Sequence, residues 1–406
     1  MPTTNISPRD QNERSACLGR QCSHCRPRPS RAARLSQLML LALGAYFCFN
    51  LALWAQTSES QTDDANKAWT ATTESQGDNV NPTRTTESHT KSGNRTLDKQ
   101  SVQRRGTDGH FEPYQDIEKE TVQVDATTVR TTTRAFGRDA DGVKTLVQVT
   151  EEEKHTLPGG DSNVVRATSN SDVNGNLQLV QRQIEETKKI SKDVEETKTT
   201  VMLPSVDGGL AAAMKVQERR TTGANDTVES NKTTLLPDGA GNWQVGETRQ
   251  TTTKQEGKNL SSEEKVSRPD SSGKLDEISR TVTKTSEGGS GEKHNTVETY
   301  SLDVPGSTRD GGLHLVERAT TTQRTSSTGQ QTTEQQVEQP DPGDHGLRVT
   351  TLTTDTVRPG SSGAHATRTV QARDANGDFG VVSVDTSKSD NIHAIQVQIG
   401  PPQKPK

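Results

Sequence analysis

Apolar residues are thin along most of this chain, but they recur at a regular distance. An apolar residue follows a turn glycine at positions 111, 143, 177, 210, 243, 275, 313, 347 and 379, with spacings of 32 to 38 residues. The preceding turn reads Asp-x-x-Gly-x-apolar from Asp172 to Leu177, Asp238 to Trp243, Asp270 to Leu275 and Asp374 to Phe379. Contracted forms stand at Asp108-Gly109, Asp141-Gly142, Asp207-Gly208, Asp310-Gly311 and Asp344-His345-Gly346. Asp at the first position and Gly at the fourth are the preferences of a type I turn. The carboxylate accepts a backbone N–H, and glycine tolerates a positive φ as the chain leaves.

Beyond each turn an apolar start passes into Glu/Arg and then threonines, as from Trp243 through Glu247 and Arg249 to Thr251-Thr252-Thr253. Thr and Val favour extended backbone, so this side of the unit predicts a strand. A second turn falls midway, at Glu256-Gly257-Lys258, Glu287 to Gly291 and Thr328-Gly329, and a return strand follows. Prolines 204, 237, 269, 305 and 342 mark where that strand stops, because proline donates no ladder hydrogen bond. Each unit is then two strands of about 10–13 residues, roughly 35–40 Å long. A fixed period of this length is the signature of a repeat protein. The expected fold is all-β: an elongated array of nine two-stranded units of about 34 residues over 108–399, either a single-layer β-meander or a β-solenoid.

Two segments depart from the common pattern of the units. Gln181 to Thr200, with Glu185-Glu186, Lys188-Lys189 and Glu195-Glu196, has charges at helical spacing, yet its register with neighbouring units predicts strand. Ile395-Gln396-Val397-Gln398-Ile399 alternates strictly and reads as a closing strand before a disordered tail, 400–406. A transmembrane barrel is not expected, since the strands show neither an outward apolar alternation nor aromatic girdles.

Composition sharpens the picture. Leu, Val, Ile and Phe together fall below about 20% of the chain, the range where disorder competes with folding. Aromatics are 3% and the net charge is only −5, with both signs interspersed. A large enzyme core and an electrostatic nucleic-acid surface are both disfavoured. Residues 56–107, rich in Thr, Ser, Asn and Gln, read as a disordered linker.

The N-terminus supplies an address. A basic leader, 1–37, precedes an apolar run from Leu38 to Trp54, with the expected signal peptide or signal anchor spanning 38–55. At 17 residues the run is at the lower bound for a spanning helix, so membrane contact is expected only through 38–54, if uncleaved. The protein is accordingly expected to be secreted, periplasmic or at the cell surface. Cys17, Cys22, His24 and Cys25 cluster in the leader, where no folded spacer would organise a zinc site. The fourth cysteine is Cys48, so none lies in the repeats. Sequons begin at Asn94, Asn225, Asn231 and Asn259.

No catalytic, cofactor or metal residue is assigned. The turns at Asp139, Asp172 and Asp374 alternate Asp and Asn as calcium loops do, but Gly stands fourth, and the twelfth position is Thr150, Gln183 or Asp385. The histidines beyond the leader (89, 110, 155, 294, 314, 345, 365, 393) adjoin no nucleophile motif. The Asp172-Val173-Asn174-Gly175-Asn176-Leu177 turn resembles the turn half of bacterial YD (Rhs-type) repeats over six residues. The tyrosine that precedes Asp there is missing throughout, and membership does not follow. Trp243, alone among the repeats, cannot make a sugar-stacking ladder. The expectation is a non-enzymatic exported spacer or multivalent adhesion surface with a protein or cell-surface polysaccharide partner. The alternatives are a carbohydrate- or calcium-binding module, or a disordered stalk.

Overall fold

A computed structural model describes residues 68–391 except 78–79, 140, 224–225, 289–290, 303–311, 342–345 and 362. The described residues belong to the unit Ser60–Lys406. Among them, twenty antiparallel strands run in chain order: β1 (Trp69–Gly77), β2 (Val80–Ser92), β3 (Arg95–Arg105), β4 (Phe111–Gln123), β5 (Thr128–Arg138), β6 (Lys144–Thr156), β7 (Ser162–Ser171), β8 (Leu177–Lys189), β9 (Val194–Pro204) and β10 (Leu210–Thr222). There follow β11 (Val228–Pro237), β12 (Trp243–Glu256), β13 (Asn259–Pro269), β14 (Leu275–Glu287), β15 (Lys293–Ser301), β16 (His314–Thr325), β17 (Gln331–Pro340), β18 (Leu347–Gly360), β19 (Gly363–Arg373) and β20 (Phe379–Ser389).

Each strand pairs with its sequence neighbours, and the first pairs with the last. Seven residue pairs join β1 to β20, from Ala71↔Ser389 to Gly77↔Ser383. Thr73 and Ser387 share a 2.9 Å hydroxyl contact across this seam, and Ser75 donates to Asp385. The sheet is therefore a closed barrel, and the elongated meander or solenoid is corrected. An open array leaves two bare edges, whereas closure satisfies every edge group. Residues 69–105, expected within a disordered linker, form β1 to β3. The Gln181–Thr200 segment lies in β8 and β9, and the Ile395–Ile399 strand lies outside the described residues.

The repeat is real in sequence but means a hairpin of one ring, not a separately stacking unit. Each of the nine apolar positions opens, or immediately precedes, an even-numbered strand. Among the described turns, the four of the full Asp-x-x-Gly form take the expected geometry. Asp238 Oδ1 accepts the N–H groups of Ala240 (2.8 Å) and Asn242 (3.0 Å), and Gly241 takes φ 94°. Asp172, Asp270 and Asp374 repeat this pattern, each accepting from the second and fourth residues beyond it.

All nine even strands from β4 to β20 carry a bulge near this end. Tyr114, Val147, Val180, Ala213, Gly246, Ile278, Val316, Thr350 and Val382 are the extra residues. Bulges at a rim bend the strand and add the twist that closure needs.

Candidate functional site: the lumen and its two mouths

Following the cross-strand partners round the ring separates two faces. Of the buried residues, all but Thr128 lie on one of them: Ala71, Ile117, Ala135, Val201, Val228, Ser230, Thr251, Thr253, Thr353, Asp355, Val357, Ala364, Ala366 and Ser389. A closed cylinder crowds side chains on its concave side and spreads them on its convex side, so this face is the lumen. Twenty strands about 4.8 Å apart and tilted by roughly 40° make a ring of about 20 Å radius. Subtracting side chains leaves a bore on the order of 25 Å, wide enough for water.

Hydroxyls and amides line that bore. Thr121–Thr131, Thr150–Thr168, Thr187–Thr197 and Thr253–Ser262 contact each other across strands at 3.0–3.4 Å. Gln335 donates to Thr321 at 3.2 Å. Charges are interleaved in pairs: His89 with Asp98 (2.6 Å), Arg249 with Glu247 (2.9 Å) and Glu264 (3.0 Å), and Arg166 with Glu152. Trp69 stacks on His89, 5.8 Å between ring centroids. Burial pushes the Glu185 and Asp355 carboxyls above their ordinary range, while Arg166 and Arg368 respectively oppose the shift. Beside Asp355, Gln335 Oε1 and Thr353 Oγ1 have no hydrogen-bond partner.

The mouths differ. At the aspartate mouth, where odd strands turn into even ones, the convex face gathers Phe111, Phe136, Leu146, Leu177, Leu210, Trp243, Leu275, Tyr300, Leu347 and Phe379 into a belt. Cations cap it: Arg84 over Phe111 (4.2 Å), Lys144 over Phe136 (4.0 Å), Lys215 over Trp243 (4.3 Å) and Arg373 over Phe379 (5.0 Å). Aromatics absent as a pattern from the sequence are thus assembled at one rim. Beyond the belt the convex wall is polar and ion-paired, as in Arg130–Glu153 (2.8 Å), Arg219–Glu196 (2.8 Å) and Arg318–Glu298 (2.9 Å). The other, terminal mouth holds the start of β1 and the end of β20.

The structure disperses the chemistry considered from sequence. In the Asp172 and Asp374 turns the carboxylate already accepts backbone N–H groups, which are donors and not the converging oxygens a calcium ion wants. Backbone hydrogen bonds, from Asn176 to Asp172 and from Ala240 to Asp238, hold those carboxyls below the usual range. Among the described residues no group of three or more His, Cys, Asp or Glu is placed to hold a metal ion. Cys17, Cys22, His24, Cys25 and the 38–55 run lie outside the described residues. Sequence reasoning missed the lumen, because both faces of the wall are polar.

The fold and site define an all-next-neighbour antiparallel β-barrel with a polar inner face. No family model matches the chain, and no curated protein matches it. Among solved structures it superposes on the siderophore receptor PirA of Pseudomonas aeruginosa (9% identity, TM-score 0.45, 79% of this chain and 80% of that one). It is similar at the same level to OccK5 (OpdH) of P. aeruginosa (9%, 0.38, 79% and 96%) and to the FrpB iron transporter of Neisseria meningitidis (8%, 0.43, 80% and 82%). Likeness this loose carries no functional argument.

Closure overturns the spacer and adhesion reading. A secreted spacer of repeats needs units that add along an axis, whereas here every hairpin is fixed in a ring with no end. The disordered stalk goes with it, because the described residues from 69 to 389 are built into twenty paired strands.

Proposed function

We propose that this barrel is a non-enzymatic channel-type conduit that gives small polar solutes a water path along its lumen, outside the cytoplasm. The observation that carries the reading is the continuous closed wall around a bore lined with threonine, glutamine and paired charges of both signs. Such a surface stays wetted and favours no single sign of ion. The partners are therefore small hydrophilic molecules that slip past hydroxyls and amides. Envelope location is supported by the apolar run 38–54, read as an export signal.

The convex wall bears on how the conduit stands. An outward Arg or Lys at the middle of a bilayer costs roughly 2–4 kcal/mol. Arg130, Arg134, Lys198, Lys265 and Arg318 all face outward along the strands, so most of the wall suits water. Only the belt at the aspartate mouth suits an apolar boundary.

The test is admission of polar solutes. In full-length chain with its four cysteines changed to serine, Thr281→Cys places a thiol in the lumen and Val282→Cys places one outside. Hydrophilic maleimides narrower than the bore should label both at rates within a few-fold. Reagents wider than about 25 Å should label only the outer thiol. A lumen thiol refractory to every reagent means a filled barrel and overturns the conduit.

A further inference from the structure

Six buried side-chain polar atoms among the described residues have no hydrogen-bond partner, and three of them stand together: Gln335 Oε1, Thr353 Oγ1 and Asp355 Oδ1. Gln335 is the cross-strand partner of Thr353, and Asp355 is the next inward residue of β18. Thr353 and Asp355 are 2% and 5% exposed. Buried polar groups are nearly always satisfied, so three unsatisfied neighbours call for a partner from outside the wall. All three are acceptors. The Gln335 amide donates Nε2 to Thr321 on the β16 side at 3.2 Å, which turns Oε1 toward β18. The Thr353 hydroxyl, able to donate to either neighbour, donates to neither. Charge is short in the same direction. Arg368 stands opposite both Asp355 and Asp385 in the register, so one guanidinium serves two carboxylates. Its Nε lies 3.5 Å from Asp355 Oδ1, an ion pair without a hydrogen bond at that oxygen. The other inward neighbours of Asp355 (Gln331, Thr333, Thr353, Val357, Ala366 and Val370) carry no charge.

We propose that Gln335, Thr353 and Asp355 bind a primary ammonium group carried by a solute in the lumen. This names a substrate class for the conduit and rests on that reading for the solute's route. A primary ammonium has three N–H donors and no acceptor, one donor for each orphaned oxygen, and its single charge balances Asp355. A bare divalent ion matches less well, since calcium takes six to eight oxygens and magnesium an octahedron of six. Arg368 is the side chain that yields. Moving its head toward Asp385 frees Asp355 Oδ1 without breaking a hydrogen bond to that oxygen. The binding is local, because elsewhere the inner face pairs its charges, as Arg249 does with Glu247 and Glu264.

The experiment titrates the full-length chain with methylammonium at constant ionic strength, following the Asp355 carboxyl and Thr353 methyl signals by NMR. Tetramethylammonium, with the same charge and no N–H, and potassium are titrated in parallel. Methylammonium should give a saturable shift at both residues, with an affinity at least tenfold above that of either control ion. Thr353→Val and Asp355→Asn keep side-chain volume, and each should weaken methylammonium at least tenfold. The wild-type titration decides the matter even where a variant folds poorly. No saturable shift, equal affinity for tetramethylammonium or potassium, or unchanged binding in both folded variants overturns the proposal. Labelling of Thr281→Cys separates this failure from that of the conduit. A labelled lumen thiol with no methylammonium site removes the site alone, whereas a refractory thiol with saturable binding removes the conduit alone.

Discussion

The β1–β20 seam should be the weakest line in the wall, and Gly77→Ala tests it. Seven residue pairs close the ring there, against eleven between β3 and β4. A Cβ on Gly77 would lie 2.5 Å from the Val382 carbonyl oxygen. Carbon–oxygen contacts in sheets start near 3.3 Å, so β1 must withdraw by about 0.8 Å. That stretches a ~2.9 Å N–H···O bond beyond useful geometry. Losing one or two such bonds, with their groups left half-buried, costs about 2–4 kcal/mol. If the loss is confined to the seam, amide exchange in β1 and the second half of β20 should quicken by roughly 30- to 1000-fold, at about 1.4 kcal/mol per tenfold. Exchange in β9 and β10, on the far side of the ring, should not change. Gly241→Ala is the control: its φ of 94° strains alanine, but nothing lies within 4 Å, so the effect should stay in one turn. Uniform acceleration round the barrel, or none at the seam, would refute the view that closure is set locally by these seven pairs.

Other outcomes rest on named contacts. Asp238→Ala removes the acceptor for two turn N–H groups and should destabilise the protein by about 1 kcal/mol in denaturant unfolding, without changing the lumen. Glu247 is raised by burial, but hydrogen bonds from Arg249 and Arg268 outweigh this and hold its carboxyl below the usual range. Its stabilisation is therefore present above the ordinary Glu range and lost as pH falls through the lowered value. Arg249→Met should move its NMR titration upward and cost about 1–3 kcal/mol at neutral pH. Glu185 runs the other way: burial raises its carboxyl, so its charged form is penalised once pH exceeds the raised value. Glu185→Gln should melt higher than wild type at pH 7 and no higher at pH 3.

The local rules were legible because each depends on a few adjacent residues. Asp238 through Trp243 specifies its turn, and the positions of Phe111, Leu177 and Trp243 specify where strands begin. Closure was not legible, since it depends on curvature summed over the whole sheet and on β1, whose Thr-rich sequence lacks the Asp/Gly turn that precedes the even strands from β4 to β20. The lumen was hidden for a second reason. The bulge at Gly246 inserts one residue, so Trp243 and Val245 share a face with Thr248, Gln250 and Thr252 despite their opposite parity. Reading alternation straight through the strand mixes the two faces. It also hides the belt, whose members lie about 34 residues apart in sequence.

A ring of equivalent hairpins can change its width only in whole steps. Inserting one 34-residue duplication between, say, β11 and β12 would lengthen the circumference by two strand spacings and widen the radius by about 2 Å. A hairpin that carries the Asp238-type turn and the Gly246-type bulge would meet its neighbours as the present ones do. Calibre is thus a counted property of this chain, set by the number of copies rather than by any side chain in the bore. Adding or removing a hairpin would move it between discrete sizes, with the same β1–β20 seam closing each ring.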